Sequence, residues 1–170
     1  MTDDLYTWAN RWGCPAEAIV QLLDIVDPTR ASLPQTTSET TEAAVVANLR
    51  VKAARMGRSL WRNNNGACVD DTGRHIRYGL GNDSSKLNAS WKSSDLIGIT
   101  PVMSSKPGQV FGVFTAVECK KPGWLIQNTD REVAQSNFLS TVKALGGLAM
   151  FAQSTSDYVH NIGAAHGQND

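Results

Sequence analysis

Apolar positions recur with a helical period at both ends of the chain, and run continuously or in alternation through its middle. At the amino end, DDLYTWANRW followed by GCPAEAIVQLLDIV predicts two short helices. Trp8 and Trp12 stand at i,i+4, Gly13 stops the first helix, and Pro15 suits the first turn of the second. The stretch DPTRASLPQTTS, residues 27–38, holds two prolines among small polar residues and reads as a linker. Residues 1–35 are therefore expected to form a helical hairpin and linker, residues 36–162 the main domain, and residues 163–170 a flexible tail.

The main domain should open with a helix in TTSETTEAAVVANLRVKAARMG, with Thr36 and Glu39 spaced as a capping box. Val45, Val46, Leu49, Ala53 and Met56 form its apolar side and Gly57 its stop. Strands are predicted at RSLWRN and RHIRYGL, separated by the turn-rich NNGACVDDTG, and then at SDLIGITPV and VFGVFTAVECK, joined by a Pro-Gly turn. TDREVAQSNFLSTVKALGG predicts a second long helix, with Val133, Phe138, Val142 and Leu145 on one side. LAMFAQS predicts a buried strand, and TSDYVHNI a last helical turn or two. The order describes an α/β domain with a mixed central sheet flanked by helices, plus a small helical amino-terminal appendage.

Within Val110 to Lys120 both faces are apolar until the end, which marks a central strand. The strand closes on Glu118, Cys119, Lys120 and Lys121. Glu118 and Lys120, two residues apart, share one face, where burial without partners would be costly. The preceding hairpin supplies a partner. One centring of its turn sets Asp95 opposite Glu118 and the other sets it opposite Lys120, and both registers keep all three on one face. Paired carboxylates repel unless a cation or proton lies between them. An all-oxygen cluster suits magnesium or manganese, with the Cys119 carbonyl as a further ligand. Lys120 beside the ion could orient or deprotonate a water and stabilise charge on a phosphate, and the chemistry that fits is metal-assisted phosphodiester hydrolysis.

Composition narrows the alternatives. Sixteen basic and sixteen acidic residues cancel, so a polyanion must be held by local patches. Cys14, Cys68 and Cys119 contain no CxxC, and His75, His160 and His166 complete no zinc spacing, which argues against a disulfide scaffold or structural zinc. No apolar run approaches the ~18 to 20 residues of a membrane span, and a cytoplasmic location is expected.

Asp95 followed by Glu118-x-Lys120 resembles the PD-(D/E)XK nuclease superfamily, with Ser94 where the motif name has proline. Glu42, Gly57, WRNNNG, DLIGI, ECKK, QSNF from Gln135 and a Gly-Gly pair before a short strand, in that order, resemble its VRR-NUC branch, the virus-type replication and repair nucleases, over roughly residues 39–157. The resemblance implies a restriction-endonuclease-like sheet and an acidic metal site of Glu42, Asp95 and Glu118. It also implies a catalytic Lys120, and Gln135 approaching the site from the next helix. It implies magnesium- or manganese-dependent DNA cleavage, with stand-alone members acting as dimers on branched DNA such as four-way junctions. Arg62, Asn63, Asn64 and Lys121 are candidate DNA contacts, although residues 62–64 read equally well as a polar turn. A non-catalytic nucleic-acid-binding module with a structural carboxylate cluster is the competing expectation.

Overall fold

The computed structural model describes residues 37–104, 106 and 109–166, together with isolated positions between residues 8 and 26. Among the latter, Trp8, Ala9 and Arg11 are helical, the Trp12 amide donates to the Trp8 carbonyl at 3.2 Å, and Gly13 turns the chain with φ +61°. The stop expected at Gly13 is thus present. The arrangement of the predicted hairpin, its linker, and the tips Pro107 and Gly108 lie outside the described residues.

Helix α1, Glu42–Arg55, is capped by Thr41, whose hydroxyl accepts from the Ala44 amide at 3.2 Å. The cap thus lies at Thr41, and Thr36, the other half of the box expected with Glu39, lies outside the described residues. Glu39 instead accepts from the Thr155 amide at 2.9 Å and so caps the last helix of the chain, while the segment before α1 is held by Asn48, which exchanges hydrogen bonds with the Thr37 backbone. Strand β1, Ser59–Arg62, follows. Strands β2, Gly66–Val69, and β3, His75–Tyr78, form a separate two-stranded ribbon. Next come the short helix α2, Ser85–Ser90, and strands β4, Leu96–Met103, and β5, Val110–Cys119. Helix α3, Asp130–Ala144, strand β6, Leu148–Ala152, and helix α4, Thr155–His166, complete the domain.

The main sheet runs in the order β1-β4-β5-β6, with β5 antiparallel to β4 and parallel to β6. It is mixed and flanked by helices on both faces. One face buries Leu60, Leu96, Val117, Cys119 and Met150 beneath Val45, Leu49 and Ala53 of α1 and Tyr158 and Ile162 of α4. The other buries Ala116 and Ala149 beneath Phe138, Leu139 and Val142 of α3, with Trp91 set edge-on to Phe138 at 4.8 Å between centroids. The α3 face differs from expectation by part of a turn. Val133 and Leu145 are exposed, and Ala134, Gln135 and Leu139 take the buried side because a Gly-Gly corner and the capped start at Thr129 fix the rotation of the helix.

Three further departures have simple causes. The first half of β5, Val110 to Phe114, pairs with β4 alone and stays partly exposed, so the strand is central only from Thr115 onward. Strand β2 falls inside what reads as a turn, since its residues bury nothing and leave no periodic signal. Helix α4 continues to His166, four residues into the expected tail.

Candidate active site

The register of the central hairpin decides the geometry. Leu96 pairs with Val117, so continuing the ladder one residue sets Asp95 against Glu118, the first of the two alignments the sequence allows. Asp95 Oδ2 accepts from the Cys119 amide at 3.0 Å, which ties the start of β4 to the end of β5. The ends of β1, β5 and β6 and the start of β4 meet at this end of the sheet.

Glu118 is 2% exposed. Its Oε1 accepts from Lys120 Nζ at 3.2 Å and from Gln135 Nε2, and Gln135 Oε1 accepts from Lys120 Nζ at 2.8 Å. Glu118, Lys120 and Gln135 therefore close a buried three-membered ring. The second carboxylate oxygen, Oε2, is buried with no hydrogen-bond partner among the described residues. Burial first, and the neighbouring charge of Asp95 second, push the Glu118 carboxyl up to about 8, against the opposing pull of Lys120 and, more weakly, Arg131. Burial likewise raises the Cys119 thiol and keeps it neutral. Its side chain packs in the core on the opposite face, leaving only its carbonyl as a candidate ligand.

Lys120 is held from its other side by aromatic rings. Its ammonium lies 5.4 Å from the Trp124 ring centroid and 5.6 Å from that of Phe151, which sits opposite Glu118 on β6. Trp124 is in turn fixed by its Nε1, which donates to Glu132 Oε1 at 2.8 Å. Glu132 also accepts from the Gln127 and Thr129 amides and closes a capping box with Thr129. Burial works against its charge, but the hydrogen bonds from Thr129, Trp124 and Gln127 outweigh it and hold its carboxyl below the ordinary range. The Thr129-x-x-Glu132 spacing is a readable signal of this brace; its connection through Trp124 to Lys120 is tertiary.

Glu42, in the first turn of α1, shares a cavity of about 170 Å³ with Asp95, Arg62, Asn63 and Asn64. Asp95, Glu118 and Glu42 all lie near enough to Cys119 for their negative charges to raise its thiol. They converge without closing: among the described residues no three acidic, histidine or cysteine side chains are drawn together tightly enough to hold an ion. The donor set still fits a hard divalent cation. Glu118 Oε2 is a buried carboxyl oxygen without a partner among the described residues, Asp95 uses only Oδ2, and Asp95 lines the cavity together with Glu42.

The sequence-derived DNA contacts divide. Arg62 and Asn64 are exposed at the cavity and Lys121 is exposed beyond β5. Asn63 is committed to the fold: Nδ2 donates to Ser93 Oγ at 2.8 Å and to the Ser94 carbonyl at 2.9 Å, while Oδ1 accepts from the Leu80 amide at 3.1 Å. Asn65 and Asn82 act with it. Asn65 reaches Ser93, and Asn82 donates to the Gly66 and Tyr78 carbonyls, so three asparagines anchor the β2–β3 ribbon beside the site.

Comparison with protein-family models, with curated proteins and with solved structures finds no match to this chain.

Proposed function

We propose that the protein is a divalent-metal-dependent DNA endonuclease of the PD-(D/E)XK type, resembling the VRR-NUC branch, and that it hydrolyses phosphodiester bonds in branched DNA. The observation that carries this reading is the buried, unpaired Oε2 of Glu118, set beside Lys120 and Asp95 at the end of the sheet where four strand ends meet. An unpaired carboxylate oxygen in a protein interior is costly to keep, and a bound cation is the partner that this donor set suits. Glu118, Asp95 and Glu42, with the Cys119 carbonyl, would hold magnesium or manganese, which supplies Lewis acidity and charge neutralisation at the phosphate.

The remaining steps belong to the chain's own groups. Lys120 donates toward the phosphate oxygen on which charge accumulates and orients the attacking water. Trp124 and Phe151 restrict where its ammonium can go, which lowers the cost of aiming it. Gln135 bridges Glu118 and Lys120, so it fixes their spacing rather than touching the reacting atoms. Arg62 and Asn64 border the cavity and contact the DNA backbone, joined from the far side of the strand end by Lys121.

Selectivity for branched DNA and action as a homodimer form part of the same reading. A neutral domain with no visible groove-reading helix has little means of reading bases, so DNA shape must discriminate. Trp61, Ile99 and Phe114, on one face of the sheet beyond the reach of α3, are 51%, 46% and 40% exposed and give a second copy an apolar surface to cover. The competing reading, a nucleic-acid-binding module without catalysis, draws support from the unclosed carboxylate set. Manganese titration separates the two: saturable binding lost in Asp95→Asn supports the nuclease, and absence of binding supports the module.

A further inference from the structure

A second cavity lies between α2 and α3. It measures about 540 Å³ and is bordered by Asn88, Lys92, Asp130, Arg131 and Asn137. Its floor is joined to the site already described: the Lys92 amide donates to the Ala134 carbonyl at 3.0 Å, and Ala134 precedes Gln135. Arg131 stands one helical turn before Gln135, on the same side of α3, and its charge acts on Glu118. The cleft therefore lies within about one helical turn of α3 from the carboxylate and lysine ring.

Its chemistry is that of an anion seat. Lys92 and Arg131 form no ion pair among the described residues. Asp130 is the one acid on the rim, and its place in the first turn of α3 lets the exposed amides of the helix end offset its charge. Asn88 borders the cavity with a side-chain amide that no described residue engages, and its Nδ2 can donate to an anion. Asn137 donates to the Ser90 carbonyl at 2.8 Å and fixes the wall that α2 presents to α3. Two cations without an ion pair among the described residues and an uncommitted amide thus border one cavity.

We infer that this cleft holds a phosphodiester of the strand being cut, flanking the scissile one, with Lys92 and Arg131 as its two cationic contacts. The inference rests on the nuclease reading and adds the path of the substrate: the strand runs from the Glu118 and Lys120 centre across Arg131 to Lys92, along α3. Both residues position substrate and neither touches the reacting atoms.

The salt dependence of DNA affinity, measured in calcium on a linear duplex and on a four-way junction, tests the proposal. Lys92→Gln and Arg131→Gln should each lower the slope of log affinity against log salt by about one, and the double variant by about two. In magnesium, Lys92→Gln should raise KM while kcat at saturating DNA stays unchanged. Arg131→Lys should restore the slope. Lys143→Gln, at the far end of α3, should leave it at the wild-type value. A wild-type slope in the double variant, or an equal loss in Lys143→Gln, would overturn the cleft while leaving the nuclease reading standing. Inorganic phosphate that protects the cleft but does not compete with DNA would also overturn it, by making it a site for free phosphate. If the wild-type chain binds DNA with no salt dependence, the nuclease reading falls and the cleft with it.

Discussion

At the scale of single residues, Lys120 and Lys121 differ in burial, which makes the proposed division between catalysis and binding measurable. Lys120 is buried against Glu118, Gln135 and two rings, whereas Lys121 is exposed. Lys120→Ala is expected to lower kcat by about 100-fold or more with little change in DNA affinity, in keeping with the loss of one transition-state donor. Lys121→Ala should weaken binding and spare kcat, and equal effects from the two would contradict the face assignment. Glu118 supplies a pH test. Its folded-state carboxyl is raised from 4.5 to about 8, so between those values the native metal-free protein binds more protons than the unfolded chain. Stability is then fully present below the unfolded value and declines as pH rises toward 8. Thermal unfolding of the metal-free protein should drop by roughly 5 °C or more from pH 5 to pH 8, and the drop should be much smaller in Glu118→Gln. Manganese binding below pH 8 should release a proton, because the ion requires the ionised carboxylate.

At the scale of elements, what the sequence discloses depends on whether an element's job is periodic. Strands β4 and β5 bury alternating or continuous apolar sets and are readable, as is the shared face of Asp95, Glu118 and Lys120. The choice between two registers is not, because it depends on a turn whose two centrings leave the same parity. Strand β2 and helix α2 are hidden because neither buries an apolar face; asparagine side chains hold the ribbon in place of a core. The same network explains why Asn63 reads in sequence as a DNA contact or a polar turn. Its neighbours along the chain are polar, but its partners Ser93, Ser94 and Leu80 come from far away. Asn63→Ala strips a donor from the Ser94 carbonyl and an acceptor from the Leu80 amide, and should cost about 2 kcal/mol in urea unfolding. A loss of DNA affinity in that variant without a loss of stability would return Asn63 to the binding surface. Arg131 and Lys92 carry no local signature either, since each is an isolated cation in sequence until α2 and α3 are set side by side.

The whole molecule joins a meeting point of four strand ends, a buried carboxyl short of one partner, and an apolar strip on the sheet that α3 leaves bare. No described helix is long and apolar enough to cross a membrane. If a second copy covers Trp61, Ile99 and Phe114, light scattering on the purified chain should give twice the monomer mass, and Phe114→Lys should return it to the monomer while the domain stays folded. The dimer should also prefer a four-way junction to a linear duplex of equal length, and a monomer with no preference would leave a general nuclease in place of a junction enzyme. The most direct measurement is single-turnover cleavage of junction and duplex DNA by wild type, Asp95→Asn and Glu118→Gln, with magnesium and with chelator. Magnesium-dependent cleavage in the wild type, lower by about 1,000-fold or more in both variants with unchanged far-ultraviolet circular dichroism, is the predicted result. Cleavage that survives the chelator, or wild-type rates in either variant, would contradict the assignment of this carboxylate cluster as a metal-dependent catalytic centre.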